Sequence, residues 1–258
     1  MSDKANMTLT RPTETVWQIN LQAPPDNRLT IEFLTELSAT LDQVEAEWRK
    51  SGGGEDDKGK NNGAGALIIT SSLPKFFSNG LSPTVLGVPG FFESVFDPVM
   101  YRLLTFPLVT IAAVNGHAFA GGMILAFCCD YRVISSGKAM MSMNEIFLGL
   151  PMPNSFATWL RMRLPYQALR ETMLGKRWFQ KELLAAGMVD EIAEPDQVVP
   201  KAIEIGTREG AKVGGGSWGA IKVSHQRQIW RPFMEADAFW ARMEREGVAA
   251  KFAEKAKL

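Results

Sequence analysis

Residues 111–130 read Ile-Ala-Ala-Val-Asn-Gly-His-Ala-Phe-Ala-Gly-Gly-Met-Ile-Leu-Ala-Phe-Cys-Cys-Asp. With Val109 and Thr110 before it, the opening is a mostly apolar run of strand length, the pattern of a strand covered on both faces. Asn115 and Gly116 punctuate a turn, and residues 120–129 are small and apolar enough for a buried helix. Glycine in a turn after a strand permits unpaired backbone N–H groups and close approach of a ligand. At a helix N-terminus such donors favour negative charge. Glycine spacing alone is also met by tight turns that bind nothing.

Strand and helix alternate on both sides of this stretch. Residues 16–21 alternate as a strand, and Pro24, Pro25, Asp26 and Asn27 make a turn. From Thr30 a helix carries Leu34, Leu37, Leu41, Val44 and Trp48 on one face. Residues 51–65, rich in Gly, Asn, Asp and Lys, read as an exposed loop. A buried strand is expected over 66–70, a turn over 74–82, a helix within 91–104 and a strand over 131–134. Helices are expected over 156–164, 167–174, 180–186, 197–209 and 235–255, the last charged and amphipathic. The expectation is an α/β core over residues 1–195, followed by a helical segment over 196–258.

Lys and Arg together number 28 and Asp and Glu 28, so a nucleic-acid binder working through a general basic field is disfavoured. Cys128 and Cys129 are adjacent within an apolar run, have no metal-ligand spacing, and read as buried free thiols. Residues 1–15 lack the apolar centre of a secretory signal. The longest apolar stretch, 109–129, is broken by Asn115, Gly116, His117, Gly121 and Gly122, against a membrane span. Ala256, Lys257 and Leu258 form a small–basic–Leu ending that resembles the Ser-Lys-Leu peroxisomal address read by a soluble receptor.

Two further segments can carry chemistry. Lys75-Phe76-Phe77-Ser78-Asn79-Gly80-Leu81 again puts glycine in a turn after a strand. Two such loops facing one another would make an oxyanion hole. In the other, Glu145 sits among Met140, Met141, Met143, Ile146, Phe147, Leu148 and Leu150. Apolar surroundings disfavour the ionised carboxylate and raise its pKa, making a credible general base near neutral pH. A capping or surface glutamate is the alternative.

In this order, and over about residues 16–192, the three segments resemble the crotonase family, also called the enoyl-CoA hydratase/isomerase superfamily. The resemblance implies a spiral of ββα units with a helical C-terminal segment used for oligomerisation, in trimers or dimers of trimers. It implies an acyl-CoA substrate whose coenzyme A is part of the substrate, with no separate cofactor and no metal. The oxyanion donors would be the Leu81 and Gly121 amides, and the base Glu145. Lys75 would run alongside the nucleotide, while Phe77, Asn79, Gly80, Gly122, Met123 and Asn144 would contact substrate.

One departure separates the family's reactions. Hydratases of the family use a second glutamate two residues after Gly122, where dienoyl-CoA isomerases also tend to carry an acid; here that residue is Ile124. A single base suits the shift of a 3-enoyl-CoA double bond to the trans-2 position, and Asn144-Glu145 looks like the corresponding pair in Δ3,Δ2-enoyl-CoA isomerases. A hydratase, a biosynthetic crotonase and a non-enzymatic acyl-CoA binder remain as alternatives. His117, Phe119, Phe156 and Trp159 are expected to be structural, and Asp130 to fix an element's end. Lys222, His225, Arg227 and Arg231 are expected on a solvated face, with contact to CoA phosphates as the other reading.

Overall fold

The computed structural model describes residues 5–54 and 62–234, so the helix expected over 235–255 and the tripeptide Ala256, Lys257 and Leu258 lie outside the described residues. The chain opens with β1 (Met7–Thr13), β2 (Val16–Leu21) and α1 (Ile31–Lys50). Thr30 caps α1 by accepting a hydrogen bond from Phe33 N, and Leu34, Leu37, Leu41, Val44 and Trp48 are all buried, as their spacing predicts.

Three passes of long strand, short strand and helix follow. They are β3 (Ala66–Ser71), β4 (Phe76–Ser78) and α2 (Asp97–Leu104), entered through a π-helical turn at Phe92–Phe96; then β5 (Val109–Val114), β6 (His117–Phe119) and α3 (Gly121–Phe127); then β7 (Tyr131–Ser135), β8 (Met140–Ser142) and, after a 3₁₀ turn at Glu145–Leu148, α4 (Asn154–Arg163). Next come α5 (Tyr166–Met173), β9 (Trp178–Phe179), α6 (Gln180–Ala185), β10 (Glu191–Ala193), α7 (Val198–Gly210) and α8 (Ser217–Met234).

The long strands form a six-stranded sheet in the order β1-β2-β3-β5-β7-β10, and the short ones a four-stranded sheet in the order β4-β6-β8-β9. β3, β5 and β7 run parallel, with Ala66 opposite Val109 and Ile111 opposite Tyr131; β4, β6 and β8 are also parallel, with Ala118 opposite Met141. Asn115 and Gly116 make the step from one sheet to the other. The Asn115 side chain donates to the Ser71 and Leu73 carbonyls (3.0 and 3.1 Å), and a β-carbon on Gly116 would stand 2.6 Å from Lys75 O. Every residue of β3 and β5 is buried because both faces are covered. On one face α7 packs Val198, Ala202 and Ile205 against Ala66, Ile68, Ile111 and Val133; on the other lies the larger core containing the α1 stripe.

Some expectations change. Residues 74–82 hold β4 as well as turns, and β1, β6, β8, β9 and β10 were not expected. The strands of two or three residues are too short for an alternation to register, and the seven-residue β1 is an edge strand with one buried residue, Met7. The basic stretch after Gly216 is a helix, α8, and Lys222 is not on a solvated face. It is 5% exposed, with Nζ 2.9 Å from Asp130 Oδ2 and 3.2 Å from Leu108 O. Such a charge tolerates burial only when paired. His225 is exposed. Asp130 also accepts from the amide and hydroxyl of Thr110, tying β5 to the start of β7. Cys128 and Cys129 are buried free thiols. Among the described residues no helix is long and apolar enough to cross a membrane, and no group of three or more His, Cys, Asp or Glu side chains could hold a metal ion.

Candidate active site

The short-strand sheet gathers the three segments singled out in the sequence. The turn after β4 passes through Gly80, whose φ of 79° is left-handed. A β-carbon there would stand 2.7 Å from Phe119 O and 3.0 Å from Gly121 N, so only glycine lets this loop lie against the β6–α3 junction. Leu29 N donates to Gly80 O (2.9 Å) and Ser82 N to Leu29 O (3.1 Å), while among the described residues the Leu81 amide meets no acceptor.

The facing loop turns at Ala120, with φ 50° and ψ −124°. An alanine there is strained and persists because its surroundings hold it. Its amide donates to Ser142 O (2.8 Å), and Met123 N returns to its carbonyl (2.9 Å). Gly121 follows as the first residue of α3, where the helix leaves its first amides without intrahelical partners. A β-carbon on Gly121 would lie 3.3 Å from Leu81 Cγ, which places the two loops in contact.

Over these loops opens a cavity of about 410 Å³. Its wall is mainly apolar, with Leu81, Leu86, Phe92, Phe119, Leu150 and Phe156 among the contributors; Arg28, Asn79, Asn144 and Glu145 supply its polar part. Glu145 opens the 3₁₀ turn that Gly149 ends in a left-handed conformation. It is 9% exposed, and its Oε2 is buried with no hydrogen-bond partner. Burial pushes the carboxyl up to about 7, opposed in part by its own backbone amide. A carboxyl of that kind can exchange a proton near neutral pH beside a carbonyl held by two amides.

The wall thus brings together Asn79, Leu81, Asn144 and Glu145, while Gly80 packs against Phe119 and Ala120 of that wall and Gly121 against Leu81. Phe77 and Met123, expected to contact substrate, turn inward and are fully buried in the core. Gly122 lies against Ser78, where a β-carbon would stand 2.3 Å from the carbonyl oxygen. Lys75 is exposed outside the wall, with Nζ 5.2 Å from the Phe76 ring centre. His117 stacks on Phe119 with ring centres 5.2 Å apart, as befits a structural residue. Trp159 and Phe156 are core, as expected, with Phe156 also lining the cavity, whereas the half-buried Phe119 faces it.

Two groups were not singled out in the sequence. Arg28 lies in the wall, and a single arginine after a turn carries no local pattern. Asp97 is buried at the start of α2. Burial pushes its carboxyl up to about 8, with Ser155 opposing and Glu93 adding to the rise.

Residues 11–213 match the family model described as enoyl-CoA hydratase/isomerase. The chain is 31% identical to the mouse protein named enoyl-CoA delta isomerase 1, mitochondrial, over 84% of this chain and 69% of that one. It is 34% identical to the Arabidopsis thaliana protein named enoyl-CoA delta isomerase 2, peroxisomal, over 59% of this chain and 69% of that one. A solved structure of an enoyl-CoA isomerase from Mycobacterium tuberculosis aligns with a TM-score of 0.73 at 27% identity, covering 95% of this chain and 98% of that one. With that match spanning most of its length, and three ββα passes forming its core, the chain belongs to the enoyl-CoA hydratase/isomerase family, the crotonases.

Proposed function

We propose that the protein moves the double bond of a 3-enoyl-CoA to the trans-2 position. The observation that carries this reading is that Glu145 is the one acid among the described residues lining the cavity. Ile124, where a hydratase of the resemblance would hold its second acid, is 3% exposed and packed in the apolar core. Nothing at that position can hold or activate water.

In the proposed reaction the thioester oxygen accepts hydrogen bonds from the Leu81 and Gly121 amides. Glu145 removes a proton from C2, the C2–H electron pair forms the C1–C2 double bond as the carbonyl π pair moves onto the bound oxygen, and a dienolate results. Protonated Glu145 then delivers the proton to C4, and the double bond passes from C3–C4 to C2–C3. One carboxyl serves both steps if it reaches both carbons, and the apolar wall keeps water from quenching the dienolate. Each amide donor contributes roughly 3–4 kcal/mol to such a transition state. Relatives named as enoyl-CoA delta isomerases support the same reading.

The test is a spectrophotometric assay of the wild type. Conjugation of 3-hexenoyl-CoA with little hydration of trans-2-hexenoyl-CoA is expected; robust hydration would sink the isomerase reading.

A peroxisomal location goes with this proposal, supported by Ala256, Lys257 and Leu258 and by the Arabidopsis relative, while the mouse relative is named mitochondrial. Deleting those three residues from a tagged protein is expected to leave it in the cytosol. Unchanged import would refute the address.

A further inference from the structure

Arg28 precedes α1, and its guanidinium reaches the cavity wall. Its Nη1 donates to two carbonyls, Asn79 O and Leu81 O, each at 3.1 Å. Its Nε donates to Asp26 Oδ2 (3.1 Å), and that oxygen also accepts from Asn79 Nδ2 (2.6 Å). Asp26 O accepts from Asn79 N (2.9 Å). Between the two carbonyls held by Arg28 lies a single peptide unit, Gly80 C=O to Leu81 N–H, whose oxygen accepts from Leu29 N at 2.9 Å. Residues 26–29 therefore hold three consecutive peptide units, and the middle one carries the Leu81 amide.

This clamp has a physical reason. Gly80 has more backbone freedom than any other residue type, so the donor's direction has to be imposed from outside the loop. A guanidinium is rigid and planar, so the two hydrogens on Nη1 and the one on Nε point in fixed directions, and its hydrogen bonds are charge-assisted. The Arg28 side chain is 38% exposed, so its ion pair with Asp26 adds little to stability. Its consequence falls on the geometry of the site.

We propose that Arg28 is a positioning residue that aims the Leu81 amide at the thioester oxygen by clamping the carbonyls on either side of it. The inference rests on the proposed reaction only in taking Leu81 as an oxyanion donor.

The experiment compares wild type, Arg28→Lys and Arg28→Met in kcat and KM for 3-hexenoyl-CoA, in thermal midpoint, and in the near-ultraviolet enolate band of bound acetoacetyl-CoA. Arg28→Met is expected to lower kcat roughly 10- to 100-fold with KM changed less than about 3-fold, since a misaimed donor acts on the transition state. The enolate band should fall with it, the midpoint should stay within a few degrees, and Arg28→Lys should recover only part of the loss. An unchanged kcat and band in Arg28→Met would overturn the proposal, as would a raised KM at constant kcat, which marks a plain binding contact. Full rescue by lysine would also overturn it, because charge without the planar guanidinium would then suffice. If wild type shows the enolate band without isomerising 3-hexenoyl-CoA, the isomerase reading fails, and the bands of the variants decide the role of Arg28 alone.

Discussion

Glu145→Gln is expected to lower kcat for 3-hexenoyl-CoA by about 10²–10⁴-fold, the range removed when a positioned acid–base group is lost. Glutamine keeps the shape of the side chain but can neither take the C2 proton nor return it to C4. The wild-type kcat/KM should follow the ionised form of the free enzyme. It rises with pH, passes its half-maximum near the carboxyl's value of about 7, and levels off above it. The fold should survive. Between about 4.5 and 7 the folded chain keeps a proton that the unfolded chain releases, so this group's contribution to stability falls as pH rises through that window and is level above it. Replacing it by glutamine removes that loss, so the variant's thermal midpoint at pH 8 should be no lower than that of wild type. Retained activity in a folded variant would show that another group is the base.

Gly122→Ala is expected to destabilise the protein by about 3 kcal/mol or more, the upper end for overpacking, and to lower its thermal midpoint by roughly 6–12 °C. The new methyl would stand 2.3 Å from Ser78 O and 2.9 Å from both Ser78 C and Ser78 Cβ. These are main-chain and short side-chain atoms that cannot swing aside. To make room, β4 and α3 must part, and with them the loops carrying the Leu81 and Gly121 amides, so activity should fall as well. Gly121→Ala is the contrast one residue earlier. Its methyl's nearest neighbours would be side-chain atoms, Leu29 Cδ1 and Leu81 Cγ at 3.3 Å, and a stability change within about 1 kcal/mol is expected. Calorimetry of the two variants checks the pair, and equal midpoints would mean that α3 does not pack on Ser78 as described.

Much of this molecule is legible in local pattern. The α1 stripe, the apolar runs of β3 and β5 and the turn at Asn115-Gly116 each carry a periodicity or a conformational demand that one short segment can express. Two loops of the site were marked by glycine after a strand and the third by an acid among apolar residues, and it was the family resemblance that joined the three. Met123 and Phe77 show where that reasoning stops. Both are apolar residues beside a donor loop, and no local rule says whether such a side chain faces the cavity or the core; both face the core. Phe119, expected in the core, is the reverse case.

Glu145 draws the line most clearly. Its apolar sequence neighbours suggested a buried carboxyl, and the carboxyl is buried, but not by all of them: Ile146 and Phe147 are 47% and 70% exposed, while Leu148 and Leu150 line the cavity. The rest of the apolar wall includes Leu81, Phe92 and Phe119, which lie far from Glu145 along the chain. Arg28 likewise acts on carbonyls more than fifty residues away, at Asn79 and Leu81. Local sequence sets the longer helices, the central strands and the segments that carry the glycine turns and the acid, because those are properties of neighbouring residues. Which side chains meet across the cavity, what desolvates Glu145 and what holds the Leu81 amide in place were decided only by the tertiary structure, because contact and burial depend on groups that the chain brings together only by folding.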